Sequence, residues 1–339
     1  MTQPMAQHPI DEHKSRCRQR GAALLAAMLT VTLVATLAAS AMWQQWRAVE
    51  VETAERGRVQ SAWILVGALD WSRLILASDG RAGGPDHLAE PWAIPLQEAR
   101  LSTFLAADRN VAQVDDASTD TTEAFLSGQI IDMQSRLNLT SLVEGGQVQA
   151  GGLKQFTRLF ERLGLPQQQL TSLVEALRKA QSAAGTDDAN APLMPQTVSQ
   201  LGWLGVPAST IAILSPHITI LPVRTPVNLN TAQLDVLWAA IDGIDLASAQ
   251  KLIATRESRH FKLISDATSL LGSNTVLDDT QVSVASRFFE VRGRLRLGDS
   301  IVDERSLVRK DASNFAVTLW RERGVFDRDP ATAAAQAPR

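Results

Sequence analysis

The chain reads as an α+β protein in which a large helical region is inserted between two sets of strands. Three observations predict this. Apolar residues recur at helical spacing from about Ala22 to about Leu76, β-like runs stand near Ala124–Met133 and again after Asp279, and the stretch between, Asn138 to about Leu271, is helical in pattern.

The first element carries the most information. A basic leader with Lys14, Arg16, Arg18 and Arg20 ends at Gly21, and Ala22 to Met42 hold no charge. As a helix, that run reaches about 30 Å, the thickness of a bilayer's hydrocarbon core. The one-sided basic residues predict a cytoplasmic leader, and Trp43 and Trp46 stand where amphipathic rings favour the far interface. Three outcomes fit: a retained anchor, a secretory signal peptide cut after Ala39-Ser40-Ala41, and a type IV prepilin leader cut after Gly21. Basic residues abutting a glycine, with the apolar run starting at Ala22, favour the third.

Helical spacing continues through Val49, Val51, Val59, Ala62, Trp63, Val66, Leu69, Leu74 and Leu76, with charges interspersed from Glu50 to Arg58. This predicts one helix, half in lipid and half packed on a soluble domain. Glycine, proline and aspartate mark a loop from Ser78 to Pro95. GGLKQFTRLFERLGL and QQQLTSLVEALRKAQ read as two amphipathic helices joined at Pro166, and AAGTDDANAPLMP, residues 183–195, as a linker. Strands return in VSVASRFFEVRGRLRL, and SLVRK and FAVTLW flank Asp311-Ala312-Ser313-Asn314 as a hairpin. The tail after Asp327 has few large apolar residues and reads as disordered.

Composition narrows the chemistry. A net charge of −3 and a pI near 6.0 give no general attraction to nucleic acid. The single cysteine, Cys17, lies in the leader; if the leader is removed, the exported part has no thiol and must hold its fold by apolar packing without a disulfide. There is no HExxH, GxSxG, GxGxxG or CxxC pattern, and no catalytic residue is assigned. His87 falls in the loop, and His217 and His260 read as isolated. Asp115, Asp116, Asp120 and Glu123 offer oxygen ligands without EF-hand spacing, so no metal residue is assigned.

TPVNLNTAQLDVLWAAIDGIDLASAQKLIATRES, residues 225–258, resembles a helix-hairpin-helix unit. Asn230 or Thr231 is the expected cap of its first helix, with Leu234, Leu237 and Trp238 on the apolar face. Such units often bind DNA phosphates through backbone amides. Here four basic residues face seven acids between Asn228 and Thr280, and Asp242 and Asp245 flank the hairpin glycine. A membrane-anchored DNA-binding or competence-type protein is therefore the weaker alternative.

The parts line up with a known family. QRGAALL, WQQW, DHLAEPWA, GQIIDMQSRLNLTSLV, LPVRTPVNLNTA and SRFFEVRGRLRLGD follow one another in order over nearly the whole chain beyond the leader. In this the chain resembles protein K of the type II secretion system, the large minor pseudopilin of the general secretion pathway. The resemblance implies a pilin-like antiparallel sheet domain interrupted by two SAM-like helical subdomains. The expected divisions are 1–21 leader, 22–78 transmembrane and stalk helix, and 79–137 first part of the pilin-like domain. The two helical subdomains follow at 138–222 and 223–280, then the C-terminal strands at 281–327 and a tail at 328–339. Leu137 stands where the family often has an aromatic, and residues 176–192 offer only Asp187-Asp188 in place of a D-W-x-D-x-D sequence.

The implied role is non-enzymatic. The resemblance implies cleavage by prepilin peptidase between Gly21 and Ala22, N-methylation of Ala22, a single inner-membrane span and a periplasmic C-terminal bulk. It implies assembly with the I and J minor pseudopilins at the pseudopilus tip, and no nucleic-acid partner. Major pseudopilins carry Glu at the fifth mature position; here Ala26 stands there, which suits a tip subunit with no neighbour above it. The soluble end of the long helix, bearing Trp63, Val66 and Leu69, is the expected partner-facing element. Some members of the family bind calcium; no cofactor is assigned here.

Overall fold

The computed structural model describes residues 15–103, 124–183, 192–272, 277–298, 300–311 and 315–324, with side chains from Gly21 onward. The chain forms two compact units, residues 1–62 and 63–339. Helix α1 (Ser15–Ala82) begins in the first and ends in the second. Between Gly21 and Glu50 every residue is exposed, apolar ones included. The most apolar window of this helix has a mean hydropathy of 2.2. Its hydroxyls are satisfied internally: those of Thr30, Thr32, Thr36 and Ser40 donate to carbonyls three or four residues back. A helix that spends all its polar hydrogens on itself is what a hydrocarbon environment requires.

The second unit is built on a five-stranded antiparallel sheet. Its strands are β1 (Leu96–Arg100), β2 (Ala124–Asp132), β3 (Phe288–Leu297), β4 (Ser300–Lys310) and β5 (Ala316–Gly324), in that spatial order. β3 to β5 form a meander, with β4 and β5 joined as the expected hairpin. α1 packs on one face of this sheet. Leu65 meets Leu126 and Leu295, while Leu69 and Leu76 meet Phe289, Val291 and Val308. Trp92 closes this core, its ring edge-on to Phe289 at 5.1 Å. The helix runs beyond its expected end near Leu76–Ser78, and its added turn is tied by Lys310 to Asp79 at 3.0 Å and by Arg81 Nε to the Ala77 carbonyl at 3.1 Å. It stops at Ala82, where Gly83 and Gly84 take φ values of 67° and 118°.

Between β2 and β3 lies the helical region: α2 (Ala150–Arg162), α3 (Gln167–Ala183), α4 (Ala208–Leu214), α5 (Leu234–Ala240), α6 (Leu246–Ser258) and α7 (Ile264–Leu271). α2 and α3 match the two amphipathic helices expected around Pro166. A single apolar core runs through both halves, from Leu137, Phe156 and Phe160 to Leu237, Leu252 and Phe261. Arg158 ties them further, donating from Nη2 to the carbonyls of Trp238 and Ile244. The two helical subdomains expected from the resemblance thus share one interior. The expected cap of α5 is corrected too. α5 starts after Gln233, because Asn230 and Thr231 spend their side chains on distant partners.

Candidate functional site

Helical geometry assigns the residues of α1 to faces. At 100° per residue, Leu65, Leu69, Ser72 and Leu76 cluster on one side, and Trp63 lies roughly 150° from it. Burial follows this division. Leu69 is 7% exposed, while Trp63 is 71% exposed and Leu74 is exposed beside it. Val66 is half-buried on the flank. The expected partner face of Trp63, Val66 and Leu69 is therefore corrected: Leu69 belongs to the sheet core, and the free apolar stripe is Trp63, Val66 and Leu74. Gly21, Ala22 and Ala26 sit on the exposed part of α1, and a side chain at Gly21 would meet no other atom within 4 Å of its Cβ.

A second constellation joins the sheet to the helical region. Asp132, the last residue of β2, is buried and accepts four hydrogen bonds. Its Oδ2 receives Thr231 Oγ1 at 2.6 Å, Ser286 Oγ at 2.7 Å and Asn228 Nδ2 at 3.1 Å; Oδ1 receives the Gln134 amide at 2.7 Å. Asn228 Oδ1 in turn accepts from the Asn230 amide. The Asn230 side chain clasps both the amide and the carbonyl of Phe261. Asn138 does likewise for the chain at Leu221 and Val223. Burial pushes the Asp132 carboxyl up, against the pull of its four donors.

Next to it the loop after α1 is pinned. Asp86 accepts from the Ser286 amide at 2.6 Å and from Lys310 Nζ at 2.5 Å, and Lys310 also reaches Asp79 at 3.0 Å. Burial raises the Asp86 carboxyl to about 6 although Lys310 opposes it. Glu90 accepts from Trp92 Nε1 and the His87 amide, and burial raises it to about 7. Burial depresses Lys310, but Asp86 and Asp79 more than offset this and hold the ammonium above its ordinary value. The three carboxylates come within 4.8 Å of one another. They do not fit calcium, which takes six to eight oxygen ligands, because a lysine ammonium already occupies two of them.

His87, expected in the loop, and His260, read from sequence as isolated, stack at 3.7 Å with their planes 9° apart. Burial, then the neighbouring His260, holds His87 below its ordinary value. His217 stays apart, its Nδ1 without a partner among the described residues. In the hairpin between α5 and α6, Asp242 binds Lys154 at 2.5 Å and Asp245 caps α6 through the Ser248 amide at 2.8 Å. Both acids are committed within the fold. The acidic loop Asp115, Asp116, Asp120 and Glu123 lies outside the described residues, as do Asp187, Asp188 and the tail after Asp327.

Sequence reasoning gave no role to Asp79, Asp132, Asn228, Ser286 or Lys310, and offered Thr231 only as a helix cap. Asp132, Asn228, Thr231 and Ser286 were visible as letters inside GQIIDMQSRLNLTSLV, LPVRTPVNLNTA and SRFFEVRGRLRLGD, but a buried polar network has no period to betray it.

Two family models described as "Type II secretion system (T2SS), protein K" match residues 135–223 and 227–285. The chain is similar to type II secretion system protein K of Pseudomonas aeruginosa, 29% identical over 308 residues, which cover 83% of this chain and 86% of that one. It belongs to the protein K family of type II secretion systems. The Klebsiella pneumoniae member is 26% identical over 91% of this chain and 98% of its own. Among solved structures, the crystal structure of the GspK-GspI-GspJ complex from enterotoxigenic Escherichia coli contains a chain of the same fold. Its TM-score is 0.61 at 19% identity, covering 80% of this chain and 99% of that one. Each matched family segment lies within the stretch that Asp132, Asn228 and Ser286 tie to the sheet.

Proposed function

We propose that this chain is a minor pseudopilin that occupies the tip of a periplasmic pseudopilus and starts its assembly for export across the outer membrane. The observation that carries this reading is α1. It presents an uncharged run, exposed throughout, in its first half and an apolar stripe in its second, exposed at Trp63 and Leu74 and flanked by half-buried Val66. A large apolar stripe left uncovered on a helix is a place for another subunit. The solved relative, described as a complex with GspI and GspJ, supports the I and J minor pseudopilins as the occupants. The chain acts in this reading as an inner-membrane assembly protein with no catalytic step, no cofactor and no nucleic-acid partner.

Prepilin peptidase cuts between Gly21 and Ala22, and the new amino group is methylated. Ala26, apolar where other pseudopilins carry Glu, leaves no buried carboxylate without a partner at the top of the fibre. Intact mass and N-terminal sequencing of the protein made in its host test the reading. A chain starting at Ala22 supports it, and a chain starting at Met42 overturns it in favour of a signal peptide.

A further inference from the structure

A cleft of about 280 Å³ lies beside the inner face of α1, walled by Leu65, Ile75, Trp92, Ile94, Leu126 and Val291. Its floor is open because β2 and β3 meet there as Gly128 opposite Gly293, so two side chains are missing from the sheet surface. Gly293 also sets the height of the helix: a Cβ there would stand 3.2 Å from Leu65 Cδ2. One wall atom is without a partner. Ser306, on β4 opposite Val291, is 1% exposed, and its Oγ makes no hydrogen bond among the described residues. An unpaired buried hydroxyl is unfavourable and marks a place where a partner is missing.

The other polar groups of the lining limit what that partner is. Ser72 Oγ already donates to the Ala68 carbonyl, and Glu304 is held by both Arg321 and Arg323. With Glu304 held by two arginines and the lining residue Arg292 paired with Glu290 at 2.5 Å, the cleft offers no free counter-charge to an ion. Its volume falls just below that of ordinary ligand pockets, and it exceeds the apolar cavity of about 150 Å³ that takes up benzene. We propose that the cleft binds a small aromatic molecule carrying one hydrogen-bonding group, of the size of a phenol or an indole. The ring lies among Leu69, Ile75 and Trp92, which pack in one cluster with Val291, and its polar atom reaches Ser306 Oγ.

The test is a ¹⁹F NMR titration of 4-fluorophenol into the full chain in detergent micelles, with protein-free micelles as the baseline for partitioning. Saturable binding above that baseline is expected. Ala68→Leu, which fills the cleft, should abolish it, and Ser306→Ala should weaken it roughly five- to tenfold. In the unsubstituted chain the probe should also shift the methyl resonances of Leu126 and Val291, a readout independent of any variant's folding. Absence of saturable binding, or binding that leaves those methyls unmoved, overturns the proposal.

Discussion

Asp132 accepts hydrogen bonds from a helical-region threonine, an asparagine, a serine before β3 and its own turn. Removing the acceptor strands several buried donors at once, each costing about 1–3 kcal/mol. Asp132→Ala should therefore lower unfolding stability by at least about 3 kcal/mol, read by chemical denaturation, and an effect within about 1 kcal/mol would show the network to be dispensable. Glu90 and Asp86 bear on pH. Their folded-state values of about 7 and about 6 lie above the ordinary carboxyl values of 4.5 and 3.8. The folded chain therefore holds protons that the unfolded chain has released, and stability falls as pH rises from about 4 to about 7. His87, held low, works in the opposite sense below about pH 6.5. Glu90→Gln keeps an acceptor for Trp92 and removes the titration, so its melting temperature should exceed the parent's at about pH 8 and match it near pH 5. Equal melting temperatures at both values would refute the burial argument for Glu90. At this scale little was legible beforehand. Asp132 and Asn228 lie about a hundred positions apart, and nothing in the local pattern announces that they meet.

Among the elements α1 was the most legible, since a long apolar period in one continuous helix needs no tertiary knowledge to be seen. What the period could not tell was which apolar residues the sheet takes. Trp63 and Leu69 look alike in sequence and lie on different faces of the helix. The two faces should part experimentally. Leu76→Ala opens a cavity against Phe289 and should cost about 2–5 kcal/mol of stability. Trp63→Ala should leave stability within about 0.5 kcal/mol while weakening capture of the I–J pair in a pull-down from membranes. A destabilised Trp63→Ala chain with undiminished capture would contradict both assignments. The span carries its own prediction. Ala26→Glu places a carboxylate in the apolar run with no ammonium above it, so fibre initiation, scored by secretion of a reporter substrate, should fall although membrane insertion persists. Unchanged secretion would remove Ala26 from the argument for a tip position.

At the scale of the whole molecule, the order of helix, strands, helical insert and strands was legible from the alternation of periods. The unity of the insert's core was not, because contacts between α2 and α5 join residues some eighty positions apart. The same distance hides a simpler description of the chain. Asp132 closes β2 and pairs with Phe289 at the start of β3, and Ser286 reaches across that junction at 2.7 Å. β2 and β3 are thus the two arms of one antiparallel hairpin, and residues 133–287 stand where its turn would be. Closing a loop costs only about 0.6 kcal/mol for each doubling of its length, so this extension adds roughly 3 kcal/mol over a tight turn. The sheet is in that sense complete without its guest. A chain with a short turn in place of residues 133–287, and with Phe288 and Leu307 made polar where the insert uncovered them, should still seat α1 and bind the I–J pair. Loss of binding by such a folded chain would assign the interface to the insert. The helical region is then cargo mounted on a hairpin, free to vary in size and surface while the sheet and α1 beneath it stay the same.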